Sequence, residues 1–193
     1  MTLNFRYASV ALASLLAVVS AGAQAAPSKL TLHFDPATKI NWTLTSTLHT
    51  VHGTFQLKGG LVTLDEKTGV AEGEIIVETA SGESGNSSRD RRMQKDVLES
   101  AKYPEAIFHP QKVTGTVRDG ATQTITVAGN FTLHGADHPL TLQVKTELSG
   151  DTLTAKTSFV VPYVEWGMKD PSTLMLRVGK QVNVEVDSRA TLK

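Results

Sequence analysis

Residues 122–144 read TQTITVAGNFTLHGADHPLTLQV, and their polarity alternates with a period of two. Ile125, Val127, Phe131 and Leu133 take odd positions, while Thr124, Thr126, Asn130 and Thr132 take even ones. After the turn-forming residues 134–139 (HGADHP), Leu140, Leu142 and Val144 resume the alternation. Successive side chains of a strand point to opposite faces, so the stretch reads as two strands, each with one buried and one wet face. The residue types agree, since Val, Ile, Thr and Phe suit a pleated, half-buried surface.

The same period extends outward in both directions. Toward the N-terminus it is carried by Leu30, Leu32 and Phe34, then Ile40, Trp42 and Leu44, then Phe55 and Leu57, then Ile75 and Val77. Toward the C-terminus it continues through Leu153, Phe159 and Val161 and ends with Val182, Val184 and Val186. Turn signals separate the runs at Asp35-Pro36, Gly59-Gly60, residues 65–69 (DEKTG), Asp119-Gly120 and Gly150-Asp151. Short turns between many strands imply an antiparallel meander rather than parallel βαβ units. One segment departs from the pattern. Between Gly82 and Pro104, Ser87 or Ser88 can cap a short helix on which Met93, Val97, Leu98 and Ala101 share one face.

A sheet of about eight strands with one apolar face must pack on a second sheet or close on itself, and closure removes exposed edges. Periodicity alone leaves the β-sandwich open. The reading adopted is all-β: a closed antiparallel barrel of about eight strands with one inserted amphipathic helix.

The N-terminus has the three parts of a secretory signal peptide. Arg6 supplies charge, Ala8 to Val19 is apolar apart from serines, and Ala23-Gln24-Ala25 offers the small residues a signal peptidase reads. The expectation is a leader over residues 1–25, cleaved near Ala25, and one domain over 26–193 in the periplasm. The competing reading, a membrane-spanning anchor, would need about 20 continuous apolar residues, more than this run has. After cleavage no stretch remains that could span a bilayer as a helix. The sequence contains no cysteine, so a packed fold must hold without disulfides. Lys and Arg number 19 against 19 Asp and Glu, interspersed, which speaks against nucleic acid as a partner.

Four blocks then resemble the YceI-like family. His49 to Leu57 (HTVHGTFQL) with Gly60 to Asp65 (GLVTLD) is similar to the family's first strand pair. Arg89-Asp90 and Met93, followed by Tyr103-Pro104-Glu105-Ala106-Ile107-Phe108, resemble its helix and the strand after it. Gly129 to Gly135 (GNFTLHG) with Pro139 to Leu142 (PLTL), and Phe159 with Glu165-Trp166-Gly167-Met168, supply the third and fourth. Two departures bear on a pocket: Val97, Leu98 and Ala101 stand where Phe is common, and Trp166 replaces the usual Phe.

The resemblance implies a lipocalin-like, tubular barrel that holds the tail of a polyisoprenoid or other long-chain lipid; separately, neither catalytic residues nor a cofactor are expected. Apolar wall candidates are Trp42, Phe55, Leu57, Ile75, Val77 and Phe108 from the first half of the chain. Phe131, Leu133, Phe159, Val161 and Trp166 come from the second half. For each of these, ordinary core packing is the competing reading. Arg89, Arg91, Arg92 and Lys95 are candidates for a charged head group, Arg89 competing with a role in pinning its loop. The resemblance also admits a homodimer, although no exposed apolar patch stands out in the pattern.

Metal and enzyme readings have less behind them. His49 and His52, three apart in a strand, face opposite ways. His134 and His138 have no acidic or cysteine cluster beside them, so no metal is expected. No nucleophile elbow, HExxH, phosphate loop or dinucleotide fingerprint occurs. The alternatives to a lipid carrier are a filled barrel acting through its surface loops and a small hydrolase or isomerase.

Overall fold

The structure, a computed structural model, describes residues 29–193. The proposed leader therefore lies outside the described residues. The nine strands are β1 (Lys29–Phe34), β2 (Lys39–Thr45), β3 (Thr50–Asp65), β4 (Ala71–Glu83), β5 (Glu105–Thr114), β6 (Thr122–Leu133), β7 (Ala136–Ser149), β8 (Thr152–Val161) and β9 (Val182–Leu192). Every neighbouring pair is antiparallel, and pairing of β3 with β4 closes the sheet into a barrel.

Nine strands fill eight positions. β1 and β2 lie end to end between the same two neighbours, β3 and β9. The break between them is the turn expected at Asp35-Pro36. Asp35 carries it, its side chain accepting from Ala37 N at 2.8 Å and its carbonyl from Thr38 Oγ1 at 2.7 Å.

The alternation of residues 122–144 reads directly into β6 and β7, which pair from Thr122↔Glu147 to Leu133↔Ala136. The turn between them is shorter than the run HGADHP suggests. Only His134 and Gly135 form it, both with positive φ (53° and 78°), as a tight hairpin of the right twist demands. Pro139 lies inside β7 opposite Asn130. Pairing of β7 with β8 reaches only Val144 and Thr157, so the missing N–H of Pro139 breaks no ladder bond.

Gly59-Gly60 is likewise not a turn. It is an irregularity inside the 16-residue β3, where the register against β4 shifts between Leu57 and Gly59. The inward face passes there from odd positions (Val51, Phe55, Leu57) to even ones (Val62, Leu64). Gly60 also admits the Phe34 ring, which a Cβ would meet at 3.2 Å.

The helix is shorter than the spacing predicts. α1 (Ser87–Arg92) is capped by Asn86, whose side chain accepts from Ser88 N and Arg89 N, rather than by Ser87 or Ser88. Met93–Val97 then widens into a π-turn, and Glu99 reverses the chain at φ 46°. Ala101 therefore falls outside the helix and is exposed. Met93 packs toward Gly82 and Phe55, and Gln94 Nε2 donates to the Ala80 carbonyl at 2.9 Å, which ties the segment to the end of β4.

Candidate ligand-binding cavity

The inward faces of the strands surround a cavity of about 670 Å³. That lies within the range of roughly 300–1,000 Å³ found for small-molecule sites. Ten of the eleven sequence candidates line it: Trp42, Phe55, Leu57, Ile75, Val77, Phe108, Phe131, Leu133, Phe159 and Val161. Several of these inward side chains, Phe55, Val77, Phe131 and Phe159 among them, are only half-buried. A packed core would enclose them fully, so the accessible surface they keep faces the open interior.

Trp166 is the exception. It does not line the cavity. It stands in the segment after β8, against the first residues of β7 that lack a β8 partner. Its ring stacks on His138 and packs 6.1 Å from Phe131, so it backs the wall instead of forming it. Tyr163 and Met168, both buried in the same segment, do reach the cavity. Tyr163 is anchored by its hydroxyl, which donates to the Gly179 carbonyl at 2.8 Å. Burial, and then the nearby Asp170 carboxylate, push the Tyr163 phenol up to about 12.

Polar side chains along the tube are turned onto the backbone. Thr79 Oγ1 donates to the Tyr103 carbonyl at 2.7 Å, Thr157 Oγ1 to Gln143 at 2.8 Å, and Ser188 Oγ to Ala155 at 3.1 Å. These hydroxyls are already partnered and make no demand on a ligand. Trp42 Nε1 is buried without a partner; apart from it the wall behaves as apolar along its length.

The mouth is at the end where the helix and residues 162–181 sit. Among the described residues, the exposed side chains on the cavity wall are His49, Ser88, Arg92 and Lys169, all at this end. Of the head-group candidates, Arg89 and Arg92 line the cavity, and Arg91 and Lys95 do not. Arg89 is engaged: its Nε and Nη2 donate to the side chain and carbonyl of Ser84 at 2.7 Å each. Ser84 in turn donates to Asp90, so the Arg89-Asp90 pair pins the loop before α1. Arg92 is the freer cation. Lys169 and Asp96 also line the cavity and escaped the sequence reading, because nothing local connects residue 169 to the helix.

The histidines go to separate partners. His134 Nε2 lies 2.7 Å from Glu99 Oε2, His138 stacks on Trp166, and His52 bonds Thr43 Oγ1 on the outer face while His49 lines the mouth.

Comparison with known proteins agrees with this architecture. The domain of Saccharophagus degradans described as a polyisoprenoid binding domain implicated in plant cell wall breakdown superimposes with a TM-score of 0.68. It does so at 16% identity over 84% of this chain and 98% of that one. BcnA of Burkholderia cenocepacia gives 0.66 at 20% identity over 82% and 99%. Protein YceI of Escherichia coli O17:K52:H18 is 35% identical over 103 residues, 52% of this chain and 51% of that protein. The chain thus spans about half the length of the curated relatives it matches. A family model described as the YceI-like domain matches residues 26–190, and the chain belongs to the YceI-like family.

Proposed function

We propose that this protein is an exported binding protein that carries or sequesters a polyisoprenoid or similar long-chain amphiphile in its barrel. The observation that carries the reading is the open interior: inward side chains around a void of about 670 Å³ whose hydroxyls are already satisfied. An interior of this size with an apolar lining offers few partners to water and suits an apolar occupant. Each methylene moved from water into the tube contributes about 0.8 kcal/mol without any specific polar contact.

The binding role, in place of a catalytic one, is supported by the neighbour described as a polyisoprenoid binding domain. A filled barrel working through its loops is the weaker reading, because it requires this interior to be packed. Export to the periplasm rests on the apolar run Ala8 to Val19 and the small residues before Ala26. The anionic head of such a ligand would sit at the mouth by Arg92 and Lys169, with Arg89 holding the rim in place.

Trp42 lines the cavity and Trp166 does not, which gives a test. In a Trp166→Phe background, titration with an isoprenoid alcohol is expected to change the Trp42 emission and saturate at one ligand per chain. A flat titration at micromolar protein would remove the carrier reading.

A further inference from the structure

Two turns stand side by side at the mouth. Ser46 to His49 closes the β2–β3 hairpin, with Ser46 N donating to the His49 carbonyl at 3.0 Å. Thr173 to Leu176 forms the second, its Thr173 N donating to the Leu176 carbonyl at 2.8 Å and Leu176 N to Thr173 Oγ1 at 3.2 Å. Thr47 N donates to the Arg177 carbonyl at 2.9 Å, and Gly179 N to that of Thr45 at 2.8 Å. The two turns are therefore one ridge.

The corners of such turns ordinarily carry Gly, Pro, Asn, Asp or Ser. Here they carry Leu48, Leu174 and Met175, which are 74%, 97% and 92% exposed. Among the described residues no other large hydrophobic side chain exceeds 47%. The ridge also runs straight into the tube, because Ser46, His49, Leu176 and Val178 line the cavity. The patch was concealed in the sequence because turns remote in the chain, at Leu48 and at Leu174-Met175, assemble it.

We propose that this ridge is a membrane-docking surface, on which Leu48, Leu174 and Met175 enter the headgroup region of a bilayer containing anionic phospholipid. Arg92, Lys169, Arg177 and Lys180 are exposed around it. Acidic residues of the same end are Glu83, Asp90, Asp96, Glu99, Asp137, Glu165 and Asp170. Asp90 accepts from Ser84 Oγ, Glu99 pairs with His134, Asp137 accepts from Thr132 Oγ1 and Asp170 from Ser172 N at 2.9 Å. Arg177 directly follows the second turn and Lys180 the Gly179 that ties it to the first, so cations flank the most exposed apolar tips, the combination that anionic interfaces attract. A second copy of the chain is less well served. Three side chains fall short of the roughly 800 Å² per partner that a stable dimer buries. Docking would set the mouth of the tube against the phase from which a lipid cargo comes, and to that extent the inference rests on the carrier reading.

The experiment is flotation of the chain as recovered from its cell envelope with phosphatidylethanolamine–phosphatidylglycerol vesicles, beside a separate uptake assay with an isoprenoid alcohol presented in detergent. Leu48→Ser, Leu174→Ser and Met175→Ser together are expected to weaken vesicle binding about a hundredfold or more. Arg177→Gln with Lys180→Gln should weaken it roughly fivefold per charge. Both variants should keep the uptake of the unmodified chain. An unmodified chain that stays with the soluble fraction overturns the docking, as does a triple variant that floats equally well. Ridge substitutions that dissolve a dimer while vesicle binding stays unchanged also overturn it, and assign the ridge to a second copy. A chain that floats through its ridge yet takes up no isoprenoid keeps the docking and removes the carrier reading.

Discussion

The indole of Trp166 lies parallel to the imidazole of His138, with 3.9 Å between the ring centroids and 5° between their planes. The pair sits where β7 has no β8 partner and supports Phe131 from outside the cavity. Trp166→Ala is therefore expected to act on stability. Loss of a half-buried indole should cost about 2–3 kcal/mol in a denaturant melt. Affinity for an apolar probe should stay within roughly threefold, because no wall area is lost.

Filling the tube should have the opposite signature. Val127 faces the cavity between Val113 and Leu142, and it is half-buried because it borders open space. In Val127→Phe the ring takes volume that the ligand chain would occupy. Displacing two methylenes of ligand is worth about tenfold in affinity. Stability should stay within about 1 kcal/mol of the unmodified protein, since the ring enters space and displaces no neighbour. Isothermal titration and a chemical melt on the same preparation read both quantities.

At the mouth, Arg92→Ala with Lys169→Ala is expected to lower affinity for a phosphorylated isoprenoid about three- to tenfold, the scale for exposed charges. Affinity for the corresponding alcohol should not change. Arg89→Ala should behave differently. Ser84 loses two donors, the loop before α1 loosens at about 1 kcal/mol, and head-group discrimination is retained.

Tyr163 links the segment after β8 to Gly179 through its hydroxyl. Tyr163→Phe leaves that carbonyl unpaired and is expected to cost about 1–2 kcal/mol. The pH dependence follows from the raised phenol. In the folded chain it ionises at about 12, from an ordinary value of 10.0. Its contribution is complete below the ordinary value and declines as pH rises from there through about 12, where the unfolded chain releases the proton first. The phenylalanine variant should lack that alkaline decline when melts are compared across the range.

The strands were legible where alternation ran unbroken, as from Ile125 to Leu133 and from Leu140 to Val144, and those residues line the barrel as their parity implies. Legibility failed at glycine and proline, which mark either a turn or a local irregularity. Gly59-Gly60 lies within a strand and flips its parity, and Pro139 is held in a strand because its N–H would have had no partner. Of the residues that share the mouth, Arg89 and Arg92 were legible from the helix, while Lys169 and His49 were not. Arg92, Lys169 and His49 are brought together only by closure of the sheet. Parity also could not separate Trp166 from the wall, since it stands outside any strand, nor tell a filled interior from an open one. That distinction depends on barrel size, set jointly by all the strands.

The central claim is that this interior holds a long-chain amphiphile. Its most direct test is native mass spectrometry of the chain recovered from its own cell envelope, followed by solvent extraction of the same sample. The expected result is a mass excess of one ligand per chain that disappears on extraction and is recovered as an isoprenoid or similar lipid. A chain that flies at its bare mass, and stays at that mass after incubation with isoprenoid and fatty-acyl probes, would contradict it.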